Sequence, residues 1–201
     1  METKDLILEK TFNLLLLKGF DNVSISDIQV ATGLSRGLLY HYFKNKEELF
    51  IEVTEKYFVQ IFDFDVRSTK EYTLSEFVDF MRSRFQEIED SILSIAREMQ
   101  NDTEVSILNY HFLFYQVMQR DIIFRNNYRK TVDKERIAWQ YALKNSIKKN
   151  EIRRDLDVES ASYQLFTLVD GIWFQAMFGS EKRHMIQSME ETLLNYIELL
   201  K

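Results

Sequence analysis

Ser24-Ile25-Ser26-Asp27-Ile28-Gln29-Val30-Ala31-Thr32-Gly33-Leu34-Ser35-Arg36-Gly37-Leu38-Leu39-Tyr40-His41-Tyr42-Phe43 decides the fold of this chain, because it spells two short helices and the turn that joins them. Ser24 is an N-cap residue and Asp27, three positions on, completes a variant capping box, so a helix is expected from there to about Ala31. Its apolar side is Ile25, Ile28 and Val30 or Ala31. Thr32-Gly33-Leu34-Ser35 reads as a tight turn, in which Gly33 permits positive φ, Leu34 plugs the angle and Ser35 caps the next helix. That next helix runs from Arg36 to Phe43.

The same punctuation extends outward on both sides. Residues 4–18 form a first helix with the apolar stripe Ile7, Leu8, Thr11, Leu14 and Leu15. Gly19 can take the left-handed conformation of a helix terminus while Phe20 folds back onto the core. Lys44-Asn45 closes the third helix, and Asn45 with Glu48 signals a fourth, longer one starting at Lys46. Further starts stand at Thr73 with Glu76, at Asp102, at Asp157 with Glu159, and at Ser180. The 201 residues contain no proline and only five glycines, so strand and hairpin punctuation is missing while helical spacing recurs throughout. The expected fold class is all-α with about nine helices, divided into residues 1–46 and residues 47–201.

Composition removes several classes of function. Cysteine is absent, which excludes disulfides, thiolate metal sites and cysteine nucleophiles. The three histidines, at 41, 111 and 184, have no partner at transition-metal spacing, although carboxylate sites for hard ions stay open. The longest aliphatic block, Leu14 to Leu17, is far too short to span a bilayer, and no signal-peptide pattern precedes it, so a cytoplasmic protein with no membrane partner is expected. A net charge of -6 argues against a general nucleic-acid coat. Its distribution says more: from Ile28 to Lys46 there is no Asp or Glu, while Arg36, His41, Lys44 and Lys46 all fall inside. No nucleophile elbow, phosphate loop or convincing acid–base pair occurs, so neither catalysis nor a cofactor is expected.

Over about 45 N-terminal residues the chain resembles the TetR family of regulators. The matching residues are Gly19-Phe20, Ser24-Ile25-Ser26-Asp27-Ile28, then Gly33 through Phe43, then Lys44-Asn45-Lys46-Glu47-Glu48-Leu49. The resemblance implies a helix-turn-helix whose second helix enters the major groove of double-stranded DNA while the first crosses the phosphate backbone. Arg36 can pair bidentately with guanine, or it can clamp a phosphate. Gly37 inside so short a helix should cost about 1 kcal/mol relative to alanine, offset either by close approach to DNA or by packing against the neighbouring helix. Tyr40, His41 and Tyr42 can donate to phosphates, Lys46 adds a positive charge, and Phe43 should point inward. The expected DNA-binding set is thus Ser24, Ser35, Arg36, Gly37, Leu38, Tyr40, His41, Tyr42 and Lys46. Gln29, Thr32 and Leu34 depart from the commonest family pattern of two alanines and a valine.

Beyond Leu49 the chain is crowded with aromatic side chains, most of which should fill core. The family's middle helices surround a small-molecule cavity, which makes Phe62, Phe80, Tyr110, Phe114, Trp139 and Trp173 candidates for a ligand pocket; His111 offers either a polar ligand contact or a structural hydrogen bond. Leu165, Leu168, Val169, Ile172 and Phe178 line one late helix, and Met185, Met189, Leu193, Ile197 and Leu200 the other. Such stripes could bury themselves in the core. The resemblance implies instead a two-fold four-helix bundle, making Leu165, Leu168, Ile172, Met185, Met189, Leu193 and Ile197 candidates for a homodimer interface. The expectation as a whole is a sequence-specific transcriptional regulator, a repressor released from a palindromic operator by a small apolar or aromatic effector. The alternative is a constitutive DNA-binding dimer whose C-terminal domain binds a protein partner.

Overall fold

Helix termini leave backbone donors without partners, and in this chain short polar side chains supply most of what is missing. The computed structural model describes residues 2–98, 107–176 and 184–201. Among them are nine α-helices and no strand: α1 (Thr3–Lys18), α2 (Ile25–Thr32), α3 (Arg36–Tyr42), α4 (Lys46–Thr54), α5 (Leu74–Glu98), α6 (Ile107–Arg120), α7 (Ile122–Lys148), α8 (Val158–Gln175) and α9 (His184–Leu199). The expected starts at Asp102 and Ser180, and Phe178, lie outside the described residues.

The caps are formed as their spacing requires. The Ser24 hydroxyl accepts the Asp27 N–H at 3.2 Å while the Ser24 N–H donates to the Asp27 carboxylate at 2.8 Å, a complete capping box. Ser35 accepts the Leu38 N–H at 3.2 Å, and Asn45 the Glu48 N–H at 2.7 Å. Asp157 accepts from both Glu159 and Ser160, and the Thr73 N–H donates to Glu76 at 2.7 Å. Gly33 ends α2 at φ 71°, ψ 10°, the left-handed region, whereas Gly19 ends α1 at φ 74°, ψ 168°, a region open essentially to glycine alone. Thr32, one of the departures from the family pattern, donates its hydroxyl to the Ile28 carbonyl at 2.7 Å and accepts the Leu34 N–H at 3.3 Å, so it ties the end of α2 to the turn.

Two local expectations need correction. Val30 and Ala31 do not belong to the buried side of α2: both are exposed, and only Ile28 is fully buried there, because so short a helix turns one narrow face to its neighbours. The fourth helix lengthens not as regular α-helix but through a π-helical turn, Glu55–Gln60, which buries Phe58 and Val59.

Compact packing divides the chain into two units that cut across a boundary at residue 46. The first comprises Met1–Asp63 and Ser91–Tyr128. Its α1 buries Ile7, Leu8, Thr11, Phe12, Asn13, Leu15 and Leu16, more than one face of the helix, and it packs on α2, α4 and α6. Phe12 stacks on Tyr57 at 4.1 Å, Phe58 meets Tyr110 at 4.7 Å, and the Tyr110 hydroxyl donates to the Tyr57 carbonyl at 2.7 Å. Helix α1 therefore shares its core with α2, α4 and α6.

The second unit comprises Phe64–Asp90 and Arg129–Lys201. Trp139, fully buried, stands edge-on to Phe77 at 4.6 Å. The Leu74 N–H at the head of α5 donates to the Ser146 hydroxyl of α7 at 2.9 Å. Helices α8 and α9 pack together, and the Arg153 N–H donates to the Leu200 carbonyl at 2.9 Å.

Candidate nucleic-acid interface

Two hydrophobic anchors hold α3 in place: Leu39 and, just past the helix, Phe43 are 2% and 3% exposed. A helix of this length pinned along one side must present the rest to its surroundings. Ser35, Arg36, Gly37, Leu38, Tyr40 and His41 are exposed and Tyr42 is half-buried. Ser24, at the head of α2, is exposed, and Lys46, at the head of α4, is half-buried. Every residue expected at the DNA surface is thus at least partly open.

The charge on this face is positive, and that of Arg36 is uncommitted. The Arg36 guanidinium lies 5.6 Å from the Tyr40 ring and has no carboxylate partner among the described residues, so its planar fork is free to meet a base edge or a phosphate. Lys44, just past α3, adds a further exposed charge beside it: its side chain is 88% exposed, and its only carboxylate neighbour among the described residues is Glu48 at 4.0 Å. The acid-free window from Ile28 to Lys46 was the signal that marked it. A β-carbon added at Gly37 would meet nothing nearer than the Ser35 hydroxyl at 4.0 Å, so packing against a neighbouring helix does not explain the glycine.

Helix α6 grips the end of α1 and the loop that follows it through three side chains. Asn109 donates to the Leu16 carbonyl at 3.1 Å, and the Gln116 side-chain oxygen accepts the Phe20 N–H at 3.1 Å. Arg120 pairs bidentately with Asp21 and lies 5.4 Å from the Phe20 ring centroid. The Arg120 guanidinium, above all its hydrogen bond, holds the Asp21 carboxyl below the usual carboxylate range. Asp27 is held well below that range too, first by the Lys18 ammonium and then by the hydroxyl and N–H of Ser24.

A short exposed helix, glycine-turned and serine-capped, carrying arginine and tyrosine and no acid, has the form of a major-groove reader. Residues 7–53 match the family described as "Bacterial regulatory proteins, tetR family". The chain's N-terminal module is thus similar to that family's DNA-binding segment. Among curated relatives, the chain is 22% identical over 102 residues to IcaR of Staphylococcus epidermidis, a negative transcriptional regulator of the biofilm operon icaADBC. That match spans 50% of this chain and 55% of IcaR. It is also 22% identical over 199 residues to the transcriptional regulator CymR of Pseudomonas putida, covering 96% of this chain and 88% of CymR. Among solved structures, a TetR transcription regulator from Haloarcula marismortui superposes with a TM-score of 0.69 at 13% identity, over 98% of this chain and 97% of that one. The reduced form of E. coli NemR does so at 0.63 and 18%, over 97% and 96%. These likenesses carry the TetR fold across the whole chain.

The expected ligand-pocket residues are not gathered in one unit. Phe62, Tyr110 and Phe114 belong to the first, Phe80, Trp139 and Trp173 to the second. Tyr110 and Trp139 are 2% and 0% exposed, each packed on by rings, Phe12 and Phe58 for the former and Phe77 for the latter. Phe62 meets Tyr128, Phe114 meets Phe58, Phe124 and Tyr128, Phe80 meets Phe64, Tyr72 and Phe77, and Trp173 meets Phe85. His111 is buried. Of the expected dimer face, Leu165, Met189, Leu193 and Ile197 are buried inside this chain, so they hold α8 and α9 together rather than face outward. Leu168, Ile172 and Met185 are half-buried. The apolar side chains that these helices do expose are Tyr163, Phe174, Leu194 and Leu199. Among the described residues no group of three or more carboxylates and histidines gathers at metal-binding distance, and no helix is long and apolar enough to cross a membrane.

Proposed function

We propose that the protein is a cytoplasmic repressor that binds a palindromic operator as a two-fold dimer and leaves it when a small apolar or aromatic effector binds. The observation that carries this reading is the placement of α3: Leu39 and Phe43 anchor it while Arg36, Gly37, Tyr40 and His41 stay in the open, with no acid on the helix to repel phosphate. Arg36 reads a base edge, Tyr40, His41 and Tyr42 position the helix on phosphates, and Lys44 and Lys46 flank it. Repression rather than activation is supported by the likeness to IcaR, a negative regulator.

The dimer follows from what a single short helix can do. One recognition helix reads too few base pairs for useful selectivity, whereas a symmetric pair reads two half-sites and doubles the free-energy difference between operator and random DNA. The half-buried Leu168, Ile172 and Met185, with the exposed Tyr163 and Phe174 on α8 and Leu194 on α9, supply the apolar area for that contact. Release follows if the effector binds more tightly to the form whose two recognition helices are misplaced for adjacent grooves.

Titrating the purified protein against the DNA upstream of its own gene, at moderate salt and beside a scrambled duplex of equal length, tests the reading. A sequence-selective shift with a two-to-one protein-to-site stoichiometry is expected. Equal affinity for both duplexes would overturn it.

A further inference from the structure

An open crevice of about 450 Å³ lies in the first unit where α4 faces the corner between α6 and α7, a volume ordinary for a small-molecule site. Its lining is apolar in part and charged in part. Phe20 and Phe50 meet edge-on at 4.9 Å, and Ile51, Ile122 and Ile123 line the opening while 47%, 57% and 61% exposed. Three isoleucines left this open around one concavity are area that a ligand can cover.

The charges around the crevice are unequally engaged. Asp21 is held bidentately by Arg120. Asp121 is occupied at the head of α7, accepting the N–H groups of Ile123 and Phe124 at 2.8 and 3.0 Å. Glu47 is exposed to solvent. Lys46 differs: it is half-buried, its ammonium lies 4.9 Å from the Phe50 ring centroid, and it forms no ion pair among the described residues, reaching Asp21 only as the weakest influence on that carboxyl. Among these, the crevice charge that is partly withdrawn from water and committed neither to a counter-ion nor to backbone donors is therefore positive. An incoming carboxylate gains a charge-assisted contact there without first breaking one.

We infer that this crevice binds a small apolar monocarboxylate, its ring or chain against Phe50 and the three isoleucines and its carboxylate on the Lys46 ammonium. The consequence for DNA rests on the function proposed above, in which Lys46 flanks the recognition helix and so stands where its ammonium meets a phosphate. One ammonium cannot serve a ligand carboxylate and a DNA phosphate together, so the two compete, and by linkage each weakens the other's binding by the same factor. Such a ligand acts on a contact residue directly, in addition to any shift in the spacing of the recognition helices, beside a wall that includes Phe20 and Arg120, both of which take part in the grip of α6 on the loop before the reading module.

Calorimetric titration of the full chain, free of DNA, with 2-naphthoate and with octanoate tests the site itself. Naphthalen-2-ylmethanol and naphthalen-2-ylmethylammonium serve as neutral and cationic bodies of similar shape. One carboxylate per chain should bind, about tenfold or more tighter than the alcohol, and K46Q should erase that advantage. I123E, a change at an exposed position outside the DNA face, should abolish binding while leaving the thermal melt in place. Failure of both carboxylates to bind, tightest binding by the ammonium, or I123E binding as wild type would each overturn the site. In a second arm, saturating naphthoate should lower affinity for upstream DNA about tenfold in wild type and not in I123E. An unchanged affinity in wild type would overturn the competition. Absence of any selective DNA binding counts against the regulator reading, whereas the crevice stands or falls on the calorimetry alone.

Discussion

Arg36 and Gly37 stand side by side at the start of α3, and each separates two physical roles by experiment. If Arg36 pairs with a guanine, R36A costs about 1–3 kcal/mol of operator affinity and relaxes preference at one base position. If it clamps a phosphate, the loss is similar on every sequence and the slope of log affinity against log salt falls by about one. Gel-shift titrations over an operator library at two salt concentrations decide between them. Gly37 has open space where a β-carbon would sit, so G37A should gain up to about 1 kcal/mol of folding stability from its better helix propensity. The same methyl should weaken operator binding, because the space it fills is where the duplex approaches. A stabilised variant with undiminished affinity would show that the glycine has no part in DNA contact.

At the scale of elements, helix ends were legible in the sequence and helix partners were not. Ser24 with Asp27, Ser35, and Asn45 with Glu48 settle their ends within four residues, so reading them needs no knowledge of the rest of the fold. The S24A variant should accordingly lose about 1 kcal/mol, seen as a lower melting temperature, since Asp27 would retain Lys18 but the Asp27 N–H would lose its acceptor. An unchanged melt would mean that water replaces the cap at no cost. The grip of α6 was illegible for the opposite reason. Gln116 meets Phe20 and Arg120 meets Asp21 across more than 90 residues of sequence, and neither residue type nor spacing announces such a partner. The π-helical turn after Thr54 was hidden likewise, because Phe58 is placed by Phe12, Tyr110 and Phe114 rather than by its sequence neighbours. Of the late apolar stripes, Leu165, Val169, Met189, Leu193 and Ile197 are buried. Spacing alone could not say whether Leu165 and Leu193 would be covered by their own chain or by a second copy.

For the whole molecule the telling group is one half-buried carboxyl. Glu135 on α7 accepts the Trp139 indole N–H at 3.2 Å, and burial pushes its carboxyl up to about 7 against an ordinary 4.5. Trp139 and, more weakly, Arg84 pull the value down, while Asp170 pushes it up, so burial prevails over the groups that favour the charged form. The unfolded chain releases this proton near 4.5 and the folded chain holds it to about 7, hence the folded state binds more protons throughout that interval. The contribution is complete below the unfolded value, declines as pH rises, and is gone above the folded value; the shift bounds it at about 3 kcal/mol. Carboxyls whose values are lowered, such as Asp21 and Asp27, act in the opposite sense, losing their contribution only in acid below the ordinary carboxylate range. The two effects occupy different pH windows, so urea midpoints compared between pH 5 and pH 8 isolate the former. Wild type should lose stability across that interval. E135Q, which keeps an acceptor for Trp139 but cannot ionise, should show a flatter profile and exceed wild type at pH 8. Parallel profiles for the two proteins would mean that Glu135 is already charged in the folded state at pH 5, with water or Arg84 compensating for its burial.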